Sequence, residues 1–125
     1  MPKSKRTTQR DEALVRLILD TLDDMKAERV VDLDVRHLTS VTDHMIVASG
    51  RSDRHVRAIA DAVLERCEAA GIQPLGVEGQ EAGEWVLVDL ADAIVHVMLP
   101  RVREFYNIEN LWDMSSARDE SAGIA

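Results

Sequence analysis

Hydrophobic side chains recur every three or four positions in two stretches of the chain, which is the spacing of one face of an α-helix. The first stretch covers residues 11–27. Its apolar stripe consists of Leu14, Val15, Ile18, Leu22 and Met25. The second begins after Gly50, with Ser52 as a favourable N-cap, and closes at Gly71. Its stripe consists of Val56, Ile59, Ala60, Val63, Leu64 and Cys67.

Five short runs combine β-branched and apolar residues between turn signals, as strands do. They cover residues 30–35, 43–48, 72–77, 85–90 and 93–99. Pro74 interrupts the third run and places it at a sheet edge or a strand start. Pro100 ends the fifth, and residues 101–112 are predicted as a short helix or helical turn. The pattern predicts a single α/β domain with a mixed sheet of about five strands, two main helices and a short C-terminal helix.

The last two strands are predicted to form a hairpin with Leu90 and Ala91 in its turn. Since side chains alternate along a strand, a two-residue turn fixes the cross-strand neighbours. The pairs would be Asp89 with Asp92, Leu87 with Ile94 and Trp85 with His96.

The two faces of this hairpin differ in composition. One is uniform and is predicted to pack under the helices: Val86, Val88, Ala93, Val95 and Val97. The other mixes apolar residues with a Trp, a His and a pair of acids: Trp85, Leu87, Asp89, Asp92, Ile94, His96 and Met98. Two interpretations of the mixed face stay open, a recognition surface or a second buried face as in the middle of an α/β sheet.

Charge is divided unevenly along the chain. The formal net charge is −8, and residues 1–10 contain four basic residues and no acid, which leaves −12 for the remainder. Bare nucleic acid is a poor partner for such a body, because phosphate contacts need clustered Lys and Arg. A basic protein is a better partner. The alternative is that the charge serves only solubility.

Both ends of the chain lack an apolar period. We therefore predict a disordered basic lead at 1–10, a folded domain at 11–113 and a disordered tail at 114–125. The sequence has no apolar run of transmembrane length and no signal-peptide pattern. With one cysteine, Cys67, an internal disulfide is impossible, and the residue is predicted to be an inert core side chain. These features predict a cytoplasmic protein away from membranes.

Motifs for catalysis are weak. The four histidines lack metal-ligand spacing, and no Ser or Cys lies in a nucleophile motif. Asp32 and Asp34 share a strand face and could hold magnesium, and the helix that opens after Gly50 could bind an anion. In a nucleotidyltransferase, however, the acidic pair follows the glycine turn instead of preceding it. We predict no enzymatic activity, cofactor or metal, and keep a nucleotide-binding or nucleotidyl-transferring enzyme as the alternative.

Three ordered groups of residues resemble the ribosomal silencing factor family, also called Iojap. The first group is TDHMIV at 42–47, SGRS at 49–52 and AIAD at 58–61. The second is EG at 78–79, WVLVD at 85–89, Asp92 and VHV at 95–97. The third is Arg103, Tyr106 and ENLW at 109–112. The resemblance covers residues 12–112, and three positions depart from the family pattern: Ala91 for Gly in the hairpin turn, Met98 for Phe and Ile108 for Leu.

The resemblance implies a nucleotidyltransferase-like fold without that activity. It implies binding to the large ribosomal subunit through the ribosomal protein numbered fourteenth there, on the intersubunit face. It further implies that the bound factor blocks joining of the small subunit and lowers translation when nutrients are short. No sequence-specific nucleic-acid contact is expected, and a homodimer is possible. The candidate contact residues are Trp85, Leu87, Asp89, Asp92, His96, Arg103, Tyr106 and Trp112.

Overall fold

A computed structural model describes residues 2–110 of the chain. Helices and strands follow the order predicted from the pattern. They are α1 (Pro2–Asp24), β1 (Glu28–Asp34), β2 (His44–Ser49), α2 (Asp53–Ala69), β3 (Gly76–Glu78), β4 (Trp85–Asp89), β5 (Ala93–Met98) and α3 (Pro100–Tyr106). A further short helical stretch covers residues 108–110.

The five strands form one mixed sheet in the order β1-β2-β5-β4-β3. The central pair, β2 and β5, is parallel, and the other three pairs are antiparallel. β3 lies at an edge, after Pro74, because proline cannot donate a hydrogen bond to a neighbouring strand. The predicted fold class is therefore confirmed.

One face of the sheet packs under α1 and α2. Both predicted helix stripes and the uniform face of the hairpin enter the same cluster, whose buried members include Ile18, Leu22, Val56, Ile59, Val63, Cys67, Val86, Val88, Val95 and Val97. Burying each aliphatic side chain contributes about 1.5–3 kcal/mol, so this cluster is the main apolar stabilisation of the fold. The prediction that Cys67 is a core residue is confirmed.

The opposite face is covered only in part. A smaller buried cluster, Val35, Met45, Val47 and Met98, lies there against the connection between β1 and β2 and against α3. His96 is also buried, whereas Trp85 and Leu87 are half-buried. The second-buried-face interpretation thus holds for His96 and Met98, and the recognition surface stays a prediction for the half-buried residues.

The bounds of α1 differ from the prediction. The helix begins at Pro2 instead of residue 11 and ends at Asp24 instead of residue 27. Its first turns cross the segment predicted as a disordered lead, where proline is tolerated and Lys, Arg and Gln favour helix. An apolar period marks only where a helix packs, so it could not show this extension. Lys26, at a φ of 62°, ends the helix.

The predicted hairpin register is wrong by two residues. Trp85 pairs with Met98, and Leu87 pairs with His96. The turn lies at Ala91 and Asp92, closed by a 2.9 Å hydrogen bond from the Leu90 amide to the Ala93 carbonyl. Ala91 takes a φ of 72°, a conformation for which glycine is usual. Because the shift is even, each side chain keeps its predicted face.

No helix within residues 2–110 is long and apolar enough to cross a membrane. Trp112 and the predicted tail at 114–125 lie outside the described residues.

Ser52 caps α2 as predicted, since its side-chain oxygen accepts a 3.1 Å hydrogen bond from the His55 amide. We expect Ser52→Ala to lower the free energy of unfolding by about 1 kcal/mol, because the His55 N–H at the start of the helix would lose its acceptor. Urea unfolding measures the change. Ser40→Ala, at an exposed serine, is the matched control. Equal stability of the two variants would contradict a capping role.

Candidate functional site

Trp85, His96 and Tyr106 come together at one end of β4. The indole Nε1 of Trp85 donates a 3.0 Å hydrogen bond to Nδ1 of His96. The ring of Tyr106, on α3, lies 5.0 Å from that of Trp85, centroid to centroid, and is tilted by 48°. Tilted contacts at this distance are favourable for aromatic rings. Sheet and helix thus supply one continuous aromatic group.

His96 has a structural part in this group. The residue is 6% exposed, and burial lowers its pKa to about 4. The ring is therefore neutral at pH 7, and because Nδ1 accepts from Trp85, the proton lies on Nε2. His96 orients Trp85 through this hydrogen bond and, being buried, offers little surface to a partner.

Phe105 extends the group into solvent. It is 80% exposed, Tyr106 is 56% exposed, and their rings meet edge to face at 4.9 Å. We call Trp85, Phe105 and Tyr106 the aromatic surface. A groove beside it is lined by Glu84, Trp85, Arg101, Val102, Phe105 and Tyr106. The sequence-based set of contact residues omitted Phe105, although all four aromatics of the chain fall between residues 84 and 112.

Arg103 does not lie where a surface contact would lie. It is 2% exposed, and its guanidinium donates to both carboxylate oxygens of Glu109 and to the hydroxyl of Ser49. Arg103 holds the pKa of Glu109 below its usual range through this hydrogen bonding. The pair is an internal tie between α3, the segment after it and the end of β2.

Three further candidates are not part of the aromatic surface. Leu87 is the next residue along the same face of β4, half-buried. Asp89 is the last residue of β4, about 13 Å from Trp85 at the usual strand rise, and Asp92 lies beyond it in the hairpin turn. The Asp89 carboxylate accepts a 3.0 Å hydrogen bond from the Ala91 amide and so supports the turn. The structure therefore brings together Trp85, His96 and Tyr106 and leaves the two acids apart.

The enzymatic alternative finds little support in the geometry. The carboxylate of Asp32 lies 2.9 Å from Nδ1 of His44, and hydrogen bonding to Arg36 lowers the pKa of Asp34 to about 2. Among the described residues no group of three or more His, Cys, Asp or Glu could hold a metal ion. Close packing also accounts for the glycine at position 50, since a Cβ there would lie 2.8 Å from a methyl carbon of Val56.

The fold defines a class, a single α/β domain with a five-stranded mixed sheet, and crystal structures of other bacterial proteins match it. One of these, from Chromobacterium violaceum, matches with a TM-score of 0.80 at 46% identity, covering 82% of this chain and 85% of that one. The family described as "Ribosomal silencing factor during starvation" matches residues 8–124. The chain belongs to this ribosomal silencing factor family, as the resemblance implied.

Two named relatives illustrate its range. Ribosomal silencing factor RsfS of Chromobacterium violaceum is 46% identical over 101 residues, 81% of this chain and 83% of the relative. A mouse protein named "Mitochondrial assembly of ribosomal large subunit protein 1" is 34% identical over 89 residues, 67% of this chain and 38% of the relative.

The buried His96 predicts a pH dependence of stability. Its pKa is about 4 in the folded chain against an ordinary 6.5, so between these values the unfolded chain binds more protons. Stability is therefore lost as the pH falls from 6.5 toward 4. We expect a loss of about 2 kcal/mol between pH 7 and pH 5 from this residue. Urea unfolding of His96→Gln should lack this contribution, whereas His37→Gln, at an exposed histidine, should keep it. Identical pH profiles would contradict the assignment.

Proposed function

We propose that the protein represses translation by binding the large ribosomal subunit through the ribosomal protein numbered fourteenth on its intersubunit face. The bound factor then occupies space that the small subunit needs, so that the two cannot join. The observation that carries the proposal is the aromatic surface, exposed on a member of the ribosomal silencing factor family. Repression during nutrient shortage agrees with the family description.

Binding energy at protein interfaces is concentrated in a few aromatic and Arg side chains. Phe105 and Tyr106 are two of the five large hydrophobic residues that are exposed within the described part of the chain. Tyr106 lies against Trp85, whose orientation His96 fixes, and Phe105 packs on Tyr106. Little conformational entropy is therefore lost when a partner docks.

Charge supports the same arrangement. The net charge is −8, which suits contact with a basic ribosomal protein and opposes close approach of RNA. An acidic body fixed on the joining face would repel the RNA of an incoming small subunit as well as block it sterically. Occlusion of this kind needs neither catalysis nor a cofactor, and it acts in the cytoplasm, where ribosomes assemble.

Truncation of the aromatic surface should weaken binding to the large subunit. We expect Trp85→Ala to cost about 2 kcal/mol or more in binding free energy, the scale of an interface hot spot. Co-sedimentation with purified large subunits measures the affinity, and addition of small subunits shows whether joining is still blocked.

Two companion variants separate binding from stability. Phe105→Ala removes a side chain that is 80% exposed, so it should fold normally and still bind less well. Leu75→Ala removes one that is 70% exposed and lies next to Asp89, at the other end of β4, so it should bind as the unaltered protein does. Unchanged binding by both Trp85→Ala and Phe105→Ala would show that the contact lies elsewhere.

The enzymatic alternative has its own test. A ligand that binds only the native state raises the melting temperature of a protein. If the protein does not bind nucleotide, ATP with magnesium should therefore leave its melting temperature unchanged. A rise of several degrees that Asp32→Asn abolishes would favour the nucleotide-binding alternative.

A further inference from the structure

Arg103 is a charged side chain in a position normally taken by an apolar one. It is 2% exposed, and its partner Glu109 is 19% exposed at the side chain. Nε and Nη2 of Arg103 lie 2.6 and 2.9 Å from the two carboxylate oxygens of Glu109. Nη1 donates a 2.9 Å hydrogen bond to the hydroxyl of Ser49, the last residue of β2. A charge so deeply buried is tolerated only when it is paired and hydrogen-bonded in this way.

α3 has little stability of its own to hold it in place on the sheet. The helix has seven residues, too few to be stable without tertiary packing. Its N-cap, Leu99, makes no side-chain capping bond, and Asn107 ends the helix with a φ of 50°. Of its seven residues, all of them described, the fully buried one is Arg103. Val102 adds a partly buried apolar contact.

The same helix carries two thirds of the aromatic surface. Phe105 and Tyr106 follow Arg103 within one turn, and Tyr106 meets Trp85 of β4 at 5.0 Å. The ring contact spans two elements, so it exists only while α3 stays in its place against the sheet. Displacement of the helix by a few ångströms would separate the rings and divide the surface.

We propose that Ser49, Arg103 and Glu109 form a latch that fixes α3 against the sheet, and that Arg103 is a positioning residue which assembles the aromatic surface without touching the ribosome. The consequence for binding rests on the function proposed above. The latch itself is a property of the free protein and can be tested without ribosomes.

The first experiment removes the charge of Glu109 while keeping its size. In Glu109→Gln, amide hydrogen exchange within residues 100–107 should be about tenfold faster or more, because one neutral hydrogen bond replaces a two-point ion pair. Exchange within α2 should not change. Glu109→Asp keeps the charge and should restore part of the protection. Glu104→Gln, at an exposed acid of α3, is the matched control and should exchange as the unaltered protein does.

The second experiment asks whether the latch acts through the aromatic surface. Glu109→Gln should weaken co-sedimentation with large subunits about tenfold, and Glu104→Gln should not. In a Phe105→Ala, Tyr106→Ala background, Glu109→Gln should cause little further loss, since interacting residues give non-additive effects. A positioning role predicts this non-additivity, whereas an independent contact by Glu109 predicts additive losses.

Several results would overturn the proposal. Unchanged exchange across 100–107 in Glu109→Gln would show that the ion pair does not hold the helix. Faster exchange with undiminished binding, or additive losses in the combined variant, would show that the helix position does not matter for the ribosome. If Trp85→Ala and Phe105→Ala bind normally, the proposed function fails at this surface, while the exchange measurement still decides whether the latch exists.

Discussion

The burial of one sheet face under α1 and α2 is the constraint on which the rest of the structure depends. Val86, Val88, Val95 and Val97 are fully buried there, and two helix stripes close over them. Because side chains alternate along a strand, fixing these four valines also fixes which side chains point away from the helices. Trp85, Leu87 and His96 therefore face the other side whatever the turn does.

Too few residues pack over that other face of the sheet to cover it fully. The connection between β1 and β2 and the short α3 bury Met98 and Val47 but leave Trp85 half-buried. A polar group on a partly covered face needs a hydrogen-bond partner nearby. The indole N–H of Trp85 finds this partner in His96, whose Nδ1 accepts its hydrogen bond. Incomplete covering thus yields an oriented and partly exposed aromatic surface.

The covering of this face relies on charge in a place where most domains would use apolar packing. The tie from Arg103 to Glu109 and Ser49 is directional, so it sets the rotation and height of α3 more narrowly than aliphatic contacts would. Such a pair adds little to stability compared with a packed apolar core, because its desolvation is costly. Its value is geometric, and in this fold the geometry concerns Phe105 and Tyr106.

Local sequence determined the elements, the faces and the family. The stripes of α1 and α2, the cap at Ser52 and the valine face are all visible as periods of 3.6 or 2, and the ordered motifs place the chain among the ribosomal silencing factors. Only the tertiary structure decided the hairpin register, the burial of Arg103 and the separation of Asp89 and Asp92 from Trp85. Periodicity records which face a residue occupies, whereas burial depends on what covers that face. For Arg103 the covering residue Ser49 lies 54 positions away.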